Sequence, residues 1–372
     1  MNKRTLIIIA IVLGIVALGI GAYFAWKNRA VVQEAIPAIG GETIAPIELR
    51  AERLKLMSSR EVIGFWVPAS GTSSDVLYVA QNGNVIRIDG EGVEEVLNKD
   101  IFSNAGTLSV AKSGGIAMLS TVDNGRTAYH VYDMKRNEWA SASGDAASLS
   151  PDGSLVAAVV KGTLANVRLI TQEVRLLQSG DAPTNELLSI SPEGLGIQWI
   201  RGSELLLTQK PSADYISDMW KVDMKTKKLT KFLSDSGLMV QWSPLGDRAL
   251  KFTTTEGRNH KLSVINDKGA EIATMRFVTM PDKCVMTTPT QMYCAIPRDQ
   301  EELAHKVLPD EYLKRNIYFK DGIYQIDIEK GSIRAIFEEE TPNIDATNLT
   351  VVNDKILFIN RYDRKLYSLK LQ

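Results

Sequence analysis

The sequence contains few of the residues that most often carry catalysis or bind metals. Its 372 residues include three histidines and two cysteines. The histidines, His130, His260 and His305, lie far apart and have no partner at the spacing of a metal-binding motif. A Gly-x-Ser-x-Gly nucleophile elbow, a P-loop, a dinucleotide fingerprint and an EF-hand loop are also missing. The sequence therefore predicts no metal ligand and no cofactor, and it argues against an α/β serine hydrolase.

The sequence also lacks an excess of either charge. Its formal net charge is -1 at pH 7, whereas nucleic-acid binding requires a basic surface that neutralises phosphates. We therefore expect no nucleic-acid partner. The densest basic cluster comprises Lys225, Lys227, Lys228 and Lys231. We interpret it as an outer strand whose lysines discourage pairing with other sheets.

Charge is absent altogether from residues 5–26, TLIIIAIVLGIVALGIGAYFAW. At about 1.5 Å per helical residue, this stretch can cross a hydrocarbon core about 30 Å thick. It is also longer than the apolar region of about 7–15 residues in a cleavable signal peptide. We therefore predict a transmembrane signal-anchor helix over 5–26, between a cytoplasmic N-terminus over 1–4 and a Pro- and Gly-containing spacer over 27–50. A cleaved signal peptide is the alternative, since Ala17 and Gly19 offer a small-x-small site.

The basic residues on the two sides of this span are nearly balanced, so they do not fix its orientation. The free amino terminus and the two cysteines favour a cytoplasmic N-terminus, because a disulfide requires an oxidising compartment. The prediction is a single-pass protein of the plasma membrane whose main domain lies on the extracytoplasmic side.

Residues 51–372 show the pattern of an all-β domain. Short runs with period-2 alternation follow one another in groups of four, as in the stretch Trp220–Gly246. Two marks recur at intervals typical of propeller blades: Ser-Pro turns such as Ser150–Gly153 and Ser243–Gly246, and an Asp or Asn that closes the third strand of a group. These marks predict a seven-bladed β-propeller. They assign 147–177 to the third blade and 188–233 to the fourth.

The seventh blade has only three strands before the C-terminus. Residues 52–57, ERLKLM, resemble the outer strands of other blades and precede the first blade. We therefore predict that strand 52–57 closes the ring and removes the open sheet edge.

The Ser-Pro-Asp-Gly turns and the stretch WKVDMKTKKLTKFL together resemble the TolB-like, WD-repeat-like propeller repeats of bacterial envelope proteins. The resemblance covers everything after the spacer. It implies the propeller fold and an envelope protein of uncharacterised family, but these turn and strand signatures carry no chemistry. TolB-like propellers proper have a separate α/β domain that is not found in this sequence, so we expect no role in the Tol system.

The two cysteines, Cys284 and Cys294, flank Thr288–Thr290 in KCVMTTPTQMYC. If these three residues form a hairpin loop, the cysteines face each other directly, at a separation that a disulfide can span. We predict a disulfide between them. The alternative is a pair of free thiols packed as small apolar groups.

Two long loops fall between the second and third strands of a blade, and such loops share one face of a propeller. They are 209–217 in blade four and an insert over 298–319 in blade six. Long loops in compact domains are often functional, although neutral decoration is the alternative. The predicted binding residues on this face are Lys210, Asp214, Tyr215, Asp310, Tyr312, Lys314, Arg315 and Tyr318. Tyr312 and Arg315 are expected to contribute most, and removal of 299–315 is expected to leave the fold intact.

The sequence favours a membrane-anchored extracytoplasmic module that binds a protein or peptide, or acts as a scaffold, without catalysis. One alternative is a hydrolase or lyase that uses carboxylates at the mouth of the propeller channel, where such groups can converge. A second alternative is a purely structural role within a larger envelope assembly.

Overall fold

The computed structural model describes residues 53–68, 75–161, 166–179, 182–191, 194–255 and 259–371. These residues form seven four-stranded antiparallel sheets, which are the blades of a β-propeller. No helix among them is long and apolar enough to cross a membrane. The segments predicted over 1–4, 5–26 and 27–50 lie outside the described residues.

The first four blades contain strands β2 to β17. Blade one has β2 (Val62–Trp66), β3 (Val76–Ala80), β4 (Val85–Ile88) and β5 (Glu94–Asn98), and blade two has β6 (Ala105–Val110), β7 (Ile116–Asp123), β8 (Arg126–Asp133) and β9 (Glu138–Ala142). Blade three has β10 (Ala146–Leu149), β11 (Leu155–Lys161), β12 (Val167–Glu173) and β13 (Thr184–Ile190), and blade four has β14 (Gly196–Arg201), β15 (Glu204–Thr208), β16 (Ile216–Asp223) and β17 (Lys228–Ser236).

The last three blades are built in the same order. Blade five has β18 (Met239–Trp242), β19 (Arg248–Thr255), β20 (Asn259–Asn266) and β21 (Glu271–Thr274), and blade six has β22 (Cys284–Met286), β23 (Gln291–Pro297), β24 (Asp321–Asp327) and β25 (Ser332–Phe337). Blade seven combines β26 (Ala346–Val352), β27 (Lys355–Asn360) and β28 (Lys365–Lys370) with β1 (Leu54–Leu56). Short helices are α1 (Gln300–Leu303), α2 (Asp310–Leu313), and two 3₁₀ turns over Val174–Ser179 and Pro281–Lys283.

The core lies between adjacent blades. The second strand of a blade is buried on both faces because a neighbouring blade packs on each side, and β3, VLYVA, is buried at every position. Outer strands are instead mostly exposed, as in the lysine-rich β17. One cluster joins Leu169 of blade three to Leu205 and Val222 of blade four, and the other blade interfaces are filled in the same way.

The ring closes through β1, which lies where the sequence places the missing outer strand. Leu54, Lys55 and Leu56 pair antiparallel with Leu369, Ser368 and Tyr367 of β28. Two further hydrogen bonds flank this ladder: the Met57 amide donates to the Leu366 carbonyl, and the Lys370 amide donates to the Arg53 carbonyl. The first strand of the domain therefore completes the last blade.

The turn marks in the sequence act through backbone hydrogen bonds. Asp89 accepts from the amides of Glu91 and Val93 after the third strand of blade one, and the Val93 bond lowers the pKa of Asp89. Gly246 closes a Ser-Pro turn with a φ of 70°. A Cβ at this glycine would lie 2.9 Å from Ile200 Cγ2, so the turn requires glycine for space as well as for its dihedral.

The predicted division between blades three and four is wrong. Residues 174–179 form a 3₁₀ turn, and β13 (Thr184–Ile190) is the outer strand of blade three. Val174 and Leu177 in the turn are buried in the cluster between blades two and three. The turn therefore buries apolar side chains as an outer strand would, although its backbone does not pair with the sheet.

Candidate functional site

The two long loops meet on one face of the propeller, which we call the insert face. This face carries the loops between second and third strands together with the interblade loops. The insert, residues 298–319, lies between β23 and β24, and the loop of blade four lies between β15 and β16. The Ala213 amide donates a hydrogen bond to Asp310 Oδ2 at 2.7 Å. The loops thus form one continuous surface across the intervening blade.

The insert is part of the core. Asp299 is the N-cap of helix α1, and its carboxylate accepts a hydrogen bond from the Glu302 amide at 2.8 Å. Leu303, Leu308, Tyr312 and Phe319 are buried in the cluster that fills blades five and six. Removing 299–315 would open this cluster to water. The expectation that such a deletion leaves the fold intact is therefore corrected by the burial of these side chains.

Four charged side chains meet beneath the insert. Lys283, Asp321 and Asp345 are fully buried, and the Arg361 side chain is 8% exposed. Lys283 Nζ lies 2.7 Å from Asp321 Oδ2 and also contacts Asp345 Oδ1. Arg361 Nη1 lies 2.8 Å from Asp345 Oδ2. We call these four residues the buried cluster.

In the buried cluster, burial and the neighbouring opposite charges shift the pKa values in opposite directions. Burial raises the pKa of Asp321 to about 7, although the Lys283 ammonium opposes this effect. Burial lowers the pKa of Lys283, but the two carboxylates outweigh it, so the pKa of Lys283 is raised overall. Asp321 therefore titrates near neutral pH beside the Lys283 ammonium group. Asp321 Oδ1 has no hydrogen-bond partner among the described residues.

Tyr312 links the insert to this cluster. Its ring stacks on Phe319 with centroids 5.9 Å apart, and the Arg361 guanidinium lies 4.0 Å from the ring centroid. Its hydroxyl donates to Asp282 Oδ2 at 2.8 Å, and burial raises the pKa of both Tyr312 and Asp282. Tyr312 is 3% exposed. The prediction that it is a surface anchor for a partner is therefore wrong.

An open cleft of about 640 Å³ lies between the insert and the interblade loop 338–345. Tyr318 and Tyr362 line it, and their rings stack with centroids 5.3 Å apart. Both residues are more than 40% exposed. The charged lining contains more acids than bases: Asp299, Glu302, Glu339 and Glu340 against Arg298 and Lys320, with Asp321 also lining the cleft.

The other predicted binding residues divide between two places. Asp214, Tyr215, Lys314 and Arg315 are exposed on the insert face, whereas Asp310 is half-buried under its bond from Ala213. Lys210 is exposed but lines a second cleft of about 660 Å³, together with residues of blades two and three. The predicted binding residues therefore share one face of the propeller, but this face contains two separate clefts.

Several residues of the site carry no signal in the sequence. Tyr362 lies in the four-residue turn between β27 and β28 of blade seven, and Lys283 ends a 3₁₀ turn before β22. Nothing local marks either residue, because each acquires its role through contacts with distant parts of the chain. The described residues contain no group of three or more His, Cys, Asp or Glu side chains placed to hold a metal ion.

A disulfide joins Cys284 and Cys294. The two residues are directly opposed in the β22–β23 pair and are fully buried. Cys284 directly follows Lys283 in the chain, so the disulfide fixes the inner strand of blade six next to the buried cluster.

No family model matches the chain, and no curated protein matches its sequence. Among solved structures, oligogalacturonate lyase from Vibrio parahaemolyticus is 11% identical, with a TM-score of 0.58 over 86% of this chain and 93% of that chain. The Cps50 (Swd1) β-propeller domain of Myceliophteria thermophila is 12% identical, with a TM-score of 0.53 over 86% of this chain and 100% of that chain. TolB from Acinetobacter baumannii is 10% identical, with a TM-score of 0.38 over 79% of this chain and 61% of that chain. At these identities the first two likenesses show the propeller fold alone, and the third does not bear on function.

Proposed function

We propose that the protein is a membrane-anchored extracytoplasmic propeller that binds a protein or peptide segment in the cleft of the insert face, without catalysing a reaction. The observation that carries this proposal is the exposed stack of Tyr318 and Tyr362 beside a mainly acidic cleft. Exposed aromatic side chains of this kind are enriched where proteins bind partners.

The occupant that fits this cleft is an extended segment bearing Lys or Arg. Carboxylates on the cleft wall, such as Glu340 and Glu302, can accept hydrogen bonds from a cationic side chain. The exposed tyrosine rings add a cation–π surface for the same group. The Arg361 guanidinium lies 5.2 Å from the Tyr318 ring centroid and makes a cation–π contact of this kind within the protein.

The anchor rests on the uncharged residues 5–26, and the Cys284–Cys294 disulfide supports an oxidising compartment for the propeller. The test uses intact cells with an epitope at the C-terminus. The protein should stay in carbonate-washed membranes, and antibody should reach the epitope without permeabilising the inner membrane. Recovery in the soluble fraction, or an epitope reached only after permeabilisation, would contradict this part of the proposal.

The binding site is tested by photo-crosslinking in cells. A photoreactive amino acid at Tyr362 should give a discrete adduct with one partner. The same amino acid at Leu245, 69% exposed in a Ser-Pro turn on the opposite face, is the matched control and should give none. The adduct should fall at least tenfold when Glu339 and Glu340 are both changed to Gln. Equal adducts from the two positions, or none from Tyr362, would refute the assignment.

A second candidate function, a hydrolase or lyase, is favoured by one observation. Asp321 borders the cleft with a side chain that is fully buried, and its pKa of about 7 suits a proton-transfer group. The structurally similar lyase is named for oligogalacturonate, so that polymer is the first substrate to try. Turnover that is lost in Asp321→Asn, with the fold intact, would favour this function over partner binding.

A further inference from the structure

The buried cluster holds an amine directly against the oxygens of two carboxylates that have no exposed side-chain surface. Lys283, Asp321 and Asp345 have no exposed side-chain surface. Phe319 and Tyr312 wall the amine, with ring centroids 4.9 and 5.9 Å from Nζ. An amine and a carboxyl group that are held together in this way have a large effective concentration, and the loss of water is favoured where water cannot return.

We propose that Lys283 and Asp345 form an intramolecular amide bond, with Asp321 as the group that relays protons. The Lys283 Nζ atom becomes bonded to Cγ of Asp345, and the Cγ–Oδ1 bond breaks. The ammonium group loses two protons, which leave with Oδ1 as one water molecule. The positive and negative charges of the original pair cancel, so the step needs no oxidant, cofactor or other reactant.

Asp345 is held as an electrophile. Its Oδ2 atom, which remains as the amide oxygen, accepts hydrogen bonds from Arg361 Nη1 at 2.8 Å and from the Phe319 amide at 3.1 Å. Attack by the amine places negative charge on this oxygen. A guanidinium and a backbone amide already aimed at it stabilise that charge, as donors do in an oxyanion hole. Oδ1, the leaving oxygen, faces the Lys283 amine.

Asp321 is placed to move the protons. Its Oδ2 atom lies 2.7 Å from Lys283 Nζ and also accepts from the Ala346 amide at 2.8 Å. Its Oδ1 atom is buried without a partner among the described residues, so it can carry a proton without breaking another hydrogen bond. Because Asp321 contacts Nζ and has one oxygen without a partner among the described residues, this carboxyl can take up the proton that Nζ loses and return it to the leaving oxygen.

The amide would join two neighbouring blades. Lys283 directly precedes β22, the inner strand of blade six, and Asp345 directly precedes β26, the inner strand of blade seven. Blade seven is completed by the strand from the start of the domain. The crosslink would therefore secure the ring beside its point of closure.

The test is peptide mapping of the full chain purified from its native membrane under denaturing conditions. Trypsin cannot cut after an amide-bonded lysine, so 277–298 should remain uncut at Lys283. It should be recovered joined to 335–355 as a branched peptide, lighter by one water molecule than the two linear peptides together. The disulfide lies within 284–298 and does not create this link. Reductive methylation should leave Lys283 unmodified.

Two variants serve as controls. Lys283→Arg keeps the positive charge but lacks the amine, and it should give only linear peptides. Asp321→Asn keeps the size and a hydrogen-bonding group, and the crosslinked fraction should fall at least tenfold. Recovery of linear peptides ending at Lys283 from the unaltered protein would overturn the proposal, whatever the variants do. A branch to 321–330 would overturn Asp345 as the electrophile, and a crosslink that persists in Asp321→Asn would overturn the relay.

Discussion

Deleting residues 51–57 should destabilise the propeller far more than deleting residues 32–44 of the predicted spacer. The first deletion removes β1, a three-residue ladder with β28, and the two hydrogen bonds that flank it. It also removes Leu54 from the cluster between blades six and seven. At about 0.5–1.5 kcal/mol for each net hydrogen bond, the lost backbone pairing costs about 3 kcal/mol. Partial exposure of the apolar side chains beneath adds about 1–2 kcal/mol.

The assay is the melting temperature of the two deletion proteins and the unaltered chain, in the same detergent and at one scan rate. For a domain of this size, about 4 kcal/mol corresponds to a fall of roughly 8 °C. The spacer deletion is the matched control because it shortens the same N-terminal segment without touching the ladder, and it should melt within about 1 °C of the unaltered chain. Equal melting temperatures for the two deletions would refute the reasoning that β1 holds the ring closed.

Three further predictions concern the described side chains. Replacing both cysteines by serine should lower the free energy of unfolding by about 2–3 kcal/mol in denaturant titrations, and the unaltered protein should resist maleimide labelling until it is reduced. Because the pKa of Asp321 in the folded protein, about 7, exceeds the ordinary value of 3.8 for an aspartate, its contribution to stability should fall as pH rises from about 4 to about 7. Asp321→Asn should remove that slope from melting temperatures measured across this range. Tyr312→Phe should cost about 1–3 kcal/mol in denaturant titrations, because Asp282 loses a buried donor, whereas Tyr215→Phe at an exposed position should change nothing measurable.

Local chemistry explains why much of the fold can be read from the sequence. Asp89, Asp223 and Asn266 accept hydrogen bonds from amides two to four residues ahead, so residue type and spacing report the turn directly. The alternating runs report strands for the same reason, since burial on one side repeats every second residue. Such signals identify blades wherever the turns are regular.

The predicted boundary between blades three and four is wrong because the buried apolar residues of the 3₁₀ turn do not lie on the strand that pairs with the sheet. Val174 and Leu177 are buried in a 3₁₀ turn, and their apolar pattern matches that of an outer strand. The real outer strand, β13, is exposed at its first three positions and shows little alternation. A pattern of apolar residues reports burial, and only a structure can tell which backbone makes the ladder.

The candidate site is predictable in part. Exposed loop residues such as Tyr215 and Arg315 follow from loop length and charge, because a polar loop lies in water. Tyr312 stands in an equally charged stretch, yet it is buried because Asp282 and Arg361 supply partners from distant turns. Lys283 is hidden for the same reason. Contacts across such sequence separations leave no periodic trace.

Arg361 contacts both the buried cluster and the aromatic residues of the proposed binding cleft. The Arg361 guanidinium forms an ion pair with the buried Asp345 carboxylate. It also lies against the Tyr312 ring and the exposed Tyr318 ring. Tyr318 in turn stacks on Tyr362 at the surface. The exposed aromatic pair therefore stands on a fixed base, and a partner that binds it need not order these side chains, each of which would otherwise cost about 0.5–1.5 kcal/mol on binding. Under the proposed function, the buried cluster would therefore contribute to recognition by holding the aromatic pair in place before a partner binds.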